Sequence, residues 1–339
     1  MNSKMQALTA AVRSAAKATP PAAIPITLLG RESARALRLE SQWEVRAVFR
    51  RSFYCRSWGG SFVCVGPMAL GGGPLNILYQ MAEPIDWEAA RLRTGSTALC
   101  DGVLIHVAER FRFSLTGAET WRPAMPATPW QPADMIQNLA MLAREACTRP
   151  VRGGLQTLIP IVAETMKGLA WARSDMSPLI RVALPGIASL ADWLEGSLAC
   201  PREPVPVPIA AFEVLIGLGP GLTPSGDDFL GGVLVGLRQL GAPDLASRLA
   251  TAVLSRAERR THEISRAHLA AAAGGEGLAP LHTTLSSLCT PGAFDMRECL
   301  SLIDAIGHTS GWDALAGVAL AAAIMARVRT MHRERRVSA

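Results

Sequence analysis

The densest run of residues able to do chemistry is Gly217-Leu218-Gly219-Pro220-Gly221-Leu222-Thr223-Pro224-Ser225-Gly226-Asp227-Asp228-Phe229-Leu230. Glycines at 219, 221 and 226 leave backbone that a ligand can approach without meeting a Cβ. Thr223 and Ser225 are of the types that cap the start of a helix. A helix start presents free N–H groups and a partial positive charge, which suits phosphate or carboxylate. Asp227 and Asp228 add carboxylates that can move a proton or hold a cation. The structural alternative is a plain glycine loop whose two acids complement the helix dipole. No lysine follows the glycines, which excludes a Walker loop. The preceding Ile209–Ile216 is too ambiguous a strand to support a dinucleotide fingerprint.

A second segment has the same design. Ser225-Gly226-Asp227-Asp228-Phe229-Leu230-Gly231-Gly232-Val233 aligns without gaps on Ser310-Gly311-Trp312-Asp313-Ala314-Leu315-Ala316-Gly317-Val318. Both carry the S-x-x-D spacing of a capping box. Two such starts are expected to face each other across a pseudo-two-fold axis, their interior glycines allowing close contact. Only Asp228 has a counterpart, Asp313; Asp227 corresponds to Trp312. Asp228 therefore ranks above Asp227 as the functional carboxylate. A third group, Thr261, Ser265 and His268, falls at i, i+4 and i+7 of one long helix and so shares a face. Either that face lines a pocket or it is solvated. His262 and His308 are isolated, although His308 stands next to Thr309 and Ser310.

Several elements must position these groups. Residues 1–34 read as a loosely ordered lead-in ending in the Pro20–Pro25 run. Residues 35–125 read as a β-rich domain. Val45–Tyr54 is rich in strand formers, and Trp58-Gly59-Gly60 turns into Ser61–Val65. Leu75–Tyr79, Val103–Val107 and Phe111–Leu115 follow as strands. Residues 118–132 are rich in proline and mark the boundary. Residues 130–332 then read as mainly α-helical, with apolar periodicity at Ala133–Cys147, Leu155–Ala172, Ile187–Leu198, Phe229–Leu240, Leu245–Ala273 and Trp312–Met331. Pro201–Pro208 is an extended linker. The fold class is α+β: a small β-rich domain, then a larger helical one carrying the glycine-rich loop at a helix N-terminus.

The chain has 339 residues, 49% hydrophobic and 18% charged, so it can bury a sizeable core and is not a disordered polymer. With aromatics at 5%, the core is expected to be built from Leu, Ala, Val and Gly. The net charge of +6 gathers at the two ends, a pattern of solvated tails that argues against nucleic-acid binding. Seven scattered cysteines without paired spacing argue against a disulfide scaffold and a zinc site. Arg13 and Lys17 interrupt any signal-peptide core. Leu315–Val328 reads as too short to span a bilayer. A cytoplasmic protein with no membrane partner is expected. No cofactor signature is present; Mg2+ beside a phosphate is the one metal that the acids admit.

The motif Gly217–Leu230 resembles a bacterial family that includes the AllH-type subunit of oxamate carbamoyltransferase. The resemblance extends to Thr261-His262-Glu263-Ile264-Ser265, to Gly307-His308-Thr309-Ser310-Gly311-Trp312-Asp313 and to Gly73-Pro74-Leu75-Asn76-Ile77. It implies one component of a multi-subunit enzyme of ureide and purine-nitrogen catabolism. That enzyme converts oxalurate and phosphate to oxamate and carbamoyl phosphate, and its complex includes a synthetase-like subunit. The expected partners are those subunits, phosphate and a small anionic substrate. Asp228 and Asp227 are then the catalytic candidates. Gly219, Gly221, Thr223, Ser225, Gly226, Asn76, Thr261, Ser265, His308, Thr309, Ser310 and Asp313 are the anion-binding ones. The alternative is a non-catalytic assembly or anion-binding subunit whose glycine helices pack on partner chains.

Overall fold

Strand formers at every second position build the first half of the chain. In β2 (Gln42–Val48), Trp43, Val45 and Ala47 are buried between exposed or half-buried neighbours. In β3 (Phe53–Ser57), Phe53, Cys55 and Ser57 are buried in the same alternation. The structure, a computed structural model, describes residues 22–126, 129–164, 176–200, 202, 205–292 and 295–337. They divide into two compact units. The first holds the strands, up to Leu29 and over Ser33–Met68 and Asn76–Thr120. The second holds Gly30–Glu32, Ala69–Leu75 and the chain from Trp121 onward.

The first unit is a closed barrel. Its other strands are β1 (Ile24–Leu29), β4 (Phe62–Pro67), β5 (Asn76–Tyr79), β6 (Thr97–Cys100), β7 (Leu104–Val107), β8 (Phe111–Ser114) and β9 (Glu119–Thr120). The order is β5-β4-β3-β2-β6-β7-β8-β1-β9, and β1 also pairs with β5, which closes the sheet. Closure removes most free edges. The β3–β4 hairpin turns where expected, with Gly60 in the left-handed region at φ 94°. Val45–Tyr54 differs from expectation, since it is two antiparallel strands with a break at 49–52.

The lead-in also differs. Its described part, from residue 22, forms β1 and the start of helix α1 (Arg31–Leu39), while residues 1–21 lie outside the described residues. The core of this unit is aromatic. Trp87 is fully buried and packs its ring 4.7 Å from Phe53 and 5.1 Å from Phe111, edge on. The few aromatics of the chain are thus concentrated here, so the expected Leu/Ala/Val/Gly core describes the second unit only.

The second unit is helical: α2 (Pro132–Cys147), α3 (Leu158–Glu164), α4 (Pro178–Ala199), α5 (Ile209–Phe212), α6 (Ser225–Gln239), α7 (Pro243–Arg260), α8 (Glu263–Ala273), α9 (Ala279–Leu288), α10 (Met296–Asp304) and α11 (Ser310–Val337). The run expected to continue to Ala172 is helical to Glu164, and 165–175 lie outside the described residues. Parts of the 201–208 linker do so too. The single helix expected over Leu245–Ala273 is two, broken at Thr261 and His262. The apolar rhythm continues across the break. The backbone stops because Thr261 is extended and the His262 side chain accepts the Ile264 N–H.

Helix α11 is the axis of this unit. Its run of alanines, strong helix formers with little bulk, is buried nearly throughout, and α2, α3, α4, α6, α9 and α10 pack on it. It is longer than the sequence reading allowed. An 18-residue window reaches a mean hydropathy of 1.5, long and apolar enough to cross a bilayer, and 78% of that window is buried inside the protein, as in a core helix.

Candidate functional site

Glycines set the geometry of the site by letting α6 and α11 touch through their backbones. The face of Gly232 where a Cβ would stand lies on the Ala314 carbonyl, and that of Gly317 lies on the Phe229 carbonyl. Gly232 and Gly317 are equivalent in the alignment, as are Phe229 and Ala314, so this is a two-fold crossing. The equivalence reaches further back than the sequence comparison did. Gly226 donates its N–H to Leu218 O at 2.9 Å and Gly311 to Ile306 O at 3.2 Å. Gly219 and Gly307, both at positive φ, pack on Ser225 and Ser310. Two copies of one loop-and-helix unit therefore meet start to start.

The serines do not cap their own helices, contrary to the capping-box expectation. Pro224 occupies the cap position of α6 and offers no side-chain acceptor, and Ser225 is already the first helical residue. Each serine faces the other motif instead. The hydroxyls of Ser310 and Thr223 lie beside Asp228. Those of Ser225 and Thr309 lie beside Asp313. Thr223 Oγ1 and Ser310 Oγ are 3.0 Å apart, so segments 217–228 and 307–313 converge.

The three acids have different surroundings. Asp227, 2% exposed, has both oxygens engaged. Its Oδ1 accepts the Gly217 N–H at 2.9 Å, and its Oδ2 accepts the hydroxyls of Ser265, at 2.6 Å, and Thr261. It ties the glycine loop to the α7–α8 junction. Asp313 is fully buried; its Oδ1 accepts the Leu155 N–H at 2.5 Å, and its Oδ2 is buried without a hydrogen-bond partner. Asp228 is half-buried as a residue, yet its Oδ2 is also screened from solvent and unpartnered. Burial raises all three carboxyls above the usual range, Asp228 most clearly, because Asp313 and Asp227 also repel its charge. No arginine, lysine or histidine stands among the groups that shift them.

The remaining sequence candidates separate. Thr261 and Ser265 reach the site through Asp227. His268 is half-buried on α8, where burial keeps the imidazole neutral with a pKa of about 4. Thr309 and Ser310 are half-buried at the start of α11, and His308 is exposed beside them. Gly221 is exposed at φ 94° with open space around it. Asn76 begins β5 in the first unit, buried and paired with Cys64. The sequence reading missed Gly154 and Leu155, whose backbone lies against Asp313. It also missed Asp304, which accepts the Trp312 indole N–H at 2.8 Å and pairs with Arg149 and Arg152. The consecutive Gly153 and Gly154, both at positive φ, were the available signal. Among the described residues no group of three or more His, Cys, Asp or Glu side chains could hold a metal.

Residues 215–322, about a third of the chain, match the family model of the oxamate carbamoyltransferase subunit AllH. The match spans both glycine-rich helix starts and runs into α11 as far as Ala322. No curated protein and no solved structure matches the chain.

Proposed function

We propose, with the AllH-type match over 215–322 as premise, that this chain carries the carbamoyl-transfer site of a ureide-degrading complex. The observation behind this reading is the crossing of two equivalent helix starts with an unpartnered carboxylate oxygen of Asp228 between them. In the reaction, a phosphate oxygen attacks the carbamoyl carbon of oxalurate and the bond to the oxamate nitrogen breaks. That nitrogen takes up the proton that hydrogen phosphate gives up, so atoms and charge balance. Such a reaction needs its anions oriented and the charge on the carbamoyl oxygen stabilised. Helix-start N–H groups and the hydroxyls of Thr223, Thr309 and Ser310 are donors of the right kind. Asp228 is the functional carboxylate of the reading, and Asp227 fixes the loop. The chain works in the cytoplasm with other subunits, a synthetase-like one among them.

The test is reconstitution. Carbamoyl phosphate formation from oxalurate and phosphate is measured with the full set of co-purified subunits and with this chain left out. Loss of turnover on omission, restored by adding the chain back, is the expected result. Turnover that persists without the chain assigns it an assembly role instead.

A further inference from the structure

One of the two equivalent carboxylates already shows what it binds. Asp313 holds an amide: its Oδ1 accepts the Leu155 N–H at 2.5 Å, and Gly154 lies so close to the same carboxylate that no Cβ would fit between them. Gly153 and Gly154, both at positive φ, allow that approach, and the Cβ position of Gly153 is 3.9 Å from Thr309 Cγ2. A peptide group of the chain is thus seated against the start of α11.

Asp228, the counterpart of Asp313 in the gapless alignment, has no such peptide. On the α11 side the loop between α2 and α3 supplies it. On the α6 side the turn between α7 and α8 engages Asp227 instead, through the hydroxyls of Thr261 and Ser265, and Gly217 gives its N–H to that same acid. Among the described residues the hydrogen-bonding neighbours of Asp228 are hydroxyls, those of Thr223 and Ser310, and its Oδ2 accepts no hydrogen bond. An unpaired buried acceptor is costly, so a donor from outside the chain would be well received there. Asp228 is also the one acid of the three that is only half-buried, and Pro220 and Gly221 in the loop ahead of it are exposed.

We infer that the Asp228 carboxylate receives an N–H of the ligand in the way that Asp313 receives the Leu155 N–H, and that the site selects amide- and urea-type molecules for this reason. The Gly154–Leu155 peptide is the built-in likeness of that ligand. The inference rests on the carbamoyl-transfer reading given above and refines it, since oxalurate and oxamate both present an N–H beside a carbonyl group. Asp228 then holds the nitrogen at which the carbamoyl bond breaks. A buried group placed for a ligand N–H rejects a molecule of the same shape that lacks it, because the group is then left unpaired.

Two probes of nearly the same shape and the same charge decide it. Oxamate and pyruvate differ by an amino group in place of a methyl group. Their binding to the full chain, alone and in the co-purified complex, is measured by isothermal titration calorimetry. Oxamate should bind at least about tenfold more tightly than pyruvate, the lower end for a hydrogen bond to a charged group. Asp228→Leu, which keeps the volume and removes the acceptor, should erase that preference, with thermal melting as the check on folding. If that variant does not fold, Asp228→Asn, which exchanges the charged acceptor for a neutral one, carries the test, and the preference should shrink. Equal affinity for the two probes, no binding of either, or a preference undiminished in the variant overturns the inference. The proposed function survives those results if omission of the chain still abolishes turnover. An Asp228-dependent preference for oxamate in a chain that the transfer does not need overturns the function and leaves the amide site.

Discussion

Replacing Gly317 by alanine should destabilise the helical unit, although the same change in an ordinary helix stabilises it. A Cβ built on Gly317 would stand 2.0 Å from the Phe229 carbonyl oxygen and 2.9 Å from the Val233 nitrogen. Both are backbone atoms of α6, so no side-chain rotation relieves the contact. Restoring an ordinary van der Waals separation pushes the helices apart by roughly 1 Å. Overpacking of this kind costs about 1–3 kcal/mol, and backbone neighbours put Gly317 at the top of that range. Alanine returns about 1 kcal/mol of helix propensity. The net loss is about 2 kcal/mol, which for a unit of this size lowers Tm by about 4–8 °C. The same displacement would stretch the 3.0 Å contact between Thr223 and Ser310 out of hydrogen-bonding range. Thermal unfolding by circular dichroism gives the number. Two controls set the sign: a Cβ on Gly231 meets only the Ala272 Cβ, at 3.7 Å, and one on Gly196 meets nothing. Both alanine variants should melt at or above wild type. If Gly317→Ala melts with them, the helices do not cross through their glycines and the two-fold site is wrong.

Asn138 is buried in α2 and its Nδ2 donates to the carbonyls of Leu288 and Thr290, at 3.1 and 3.0 Å, and weakly to Ser287. Asn138→Ala leaves the end of α9 unsatisfied, and urea unfolding should show a loss of about 2 kcal/mol; no loss would mean that water reaches those carbonyls. His282 is 1% exposed, and burial lowers its pKa from 6.5 to about 4. Its stabilising contribution is therefore complete above pH 6.5. Below that the unfolded chain binds the proton first, and the contribution falls by about 1.4 kcal/mol per pH unit down to about pH 4. The stability difference between wild type and His282→Gln should follow that slope, the carboxylates cancelling between the two; a flat difference would show a solvated imidazole.

The sequence carried the local parts of this structure and not the distant ones. The Ser-Gly-x-Asp likeness was legible because it is a gapless repeat, and the hairpin at Gly60 because glycine there serves a left-handed turn. What Ser225 and Ser310 touch was not legible. A capping box is a local pattern, whereas each serine faces an acid in the other motif, far along the chain. The Leu155 N–H on Asp313 is a contact of the same long-range kind. Strand β1 was hidden by Pro25, which pairs in parallel with Ser114 inside the barrel. The break at Thr261 was hidden by apolar periodicity that spans it, and by a histidine serving as cap in place of the usual small polar residues.

Asp228, and not Asp227, is the carboxylate proposed to work at the crossing of the two helix starts. The most direct measurement is the rate of carbamoyl phosphate formation by the reconstituted complex containing Asp228→Asn, with assembly checked by co-purification and folding by thermal melting. Turnover should fall by at least about a hundredfold, roughly 3 kcal/mol of transition-state stabilisation, with the complex assembled and the melting point at or above that of wild type. Near-normal turnover with a small drop in melting temperature would make Asp228 a helix-start residue and nothing more, and would refute its role in the transfer.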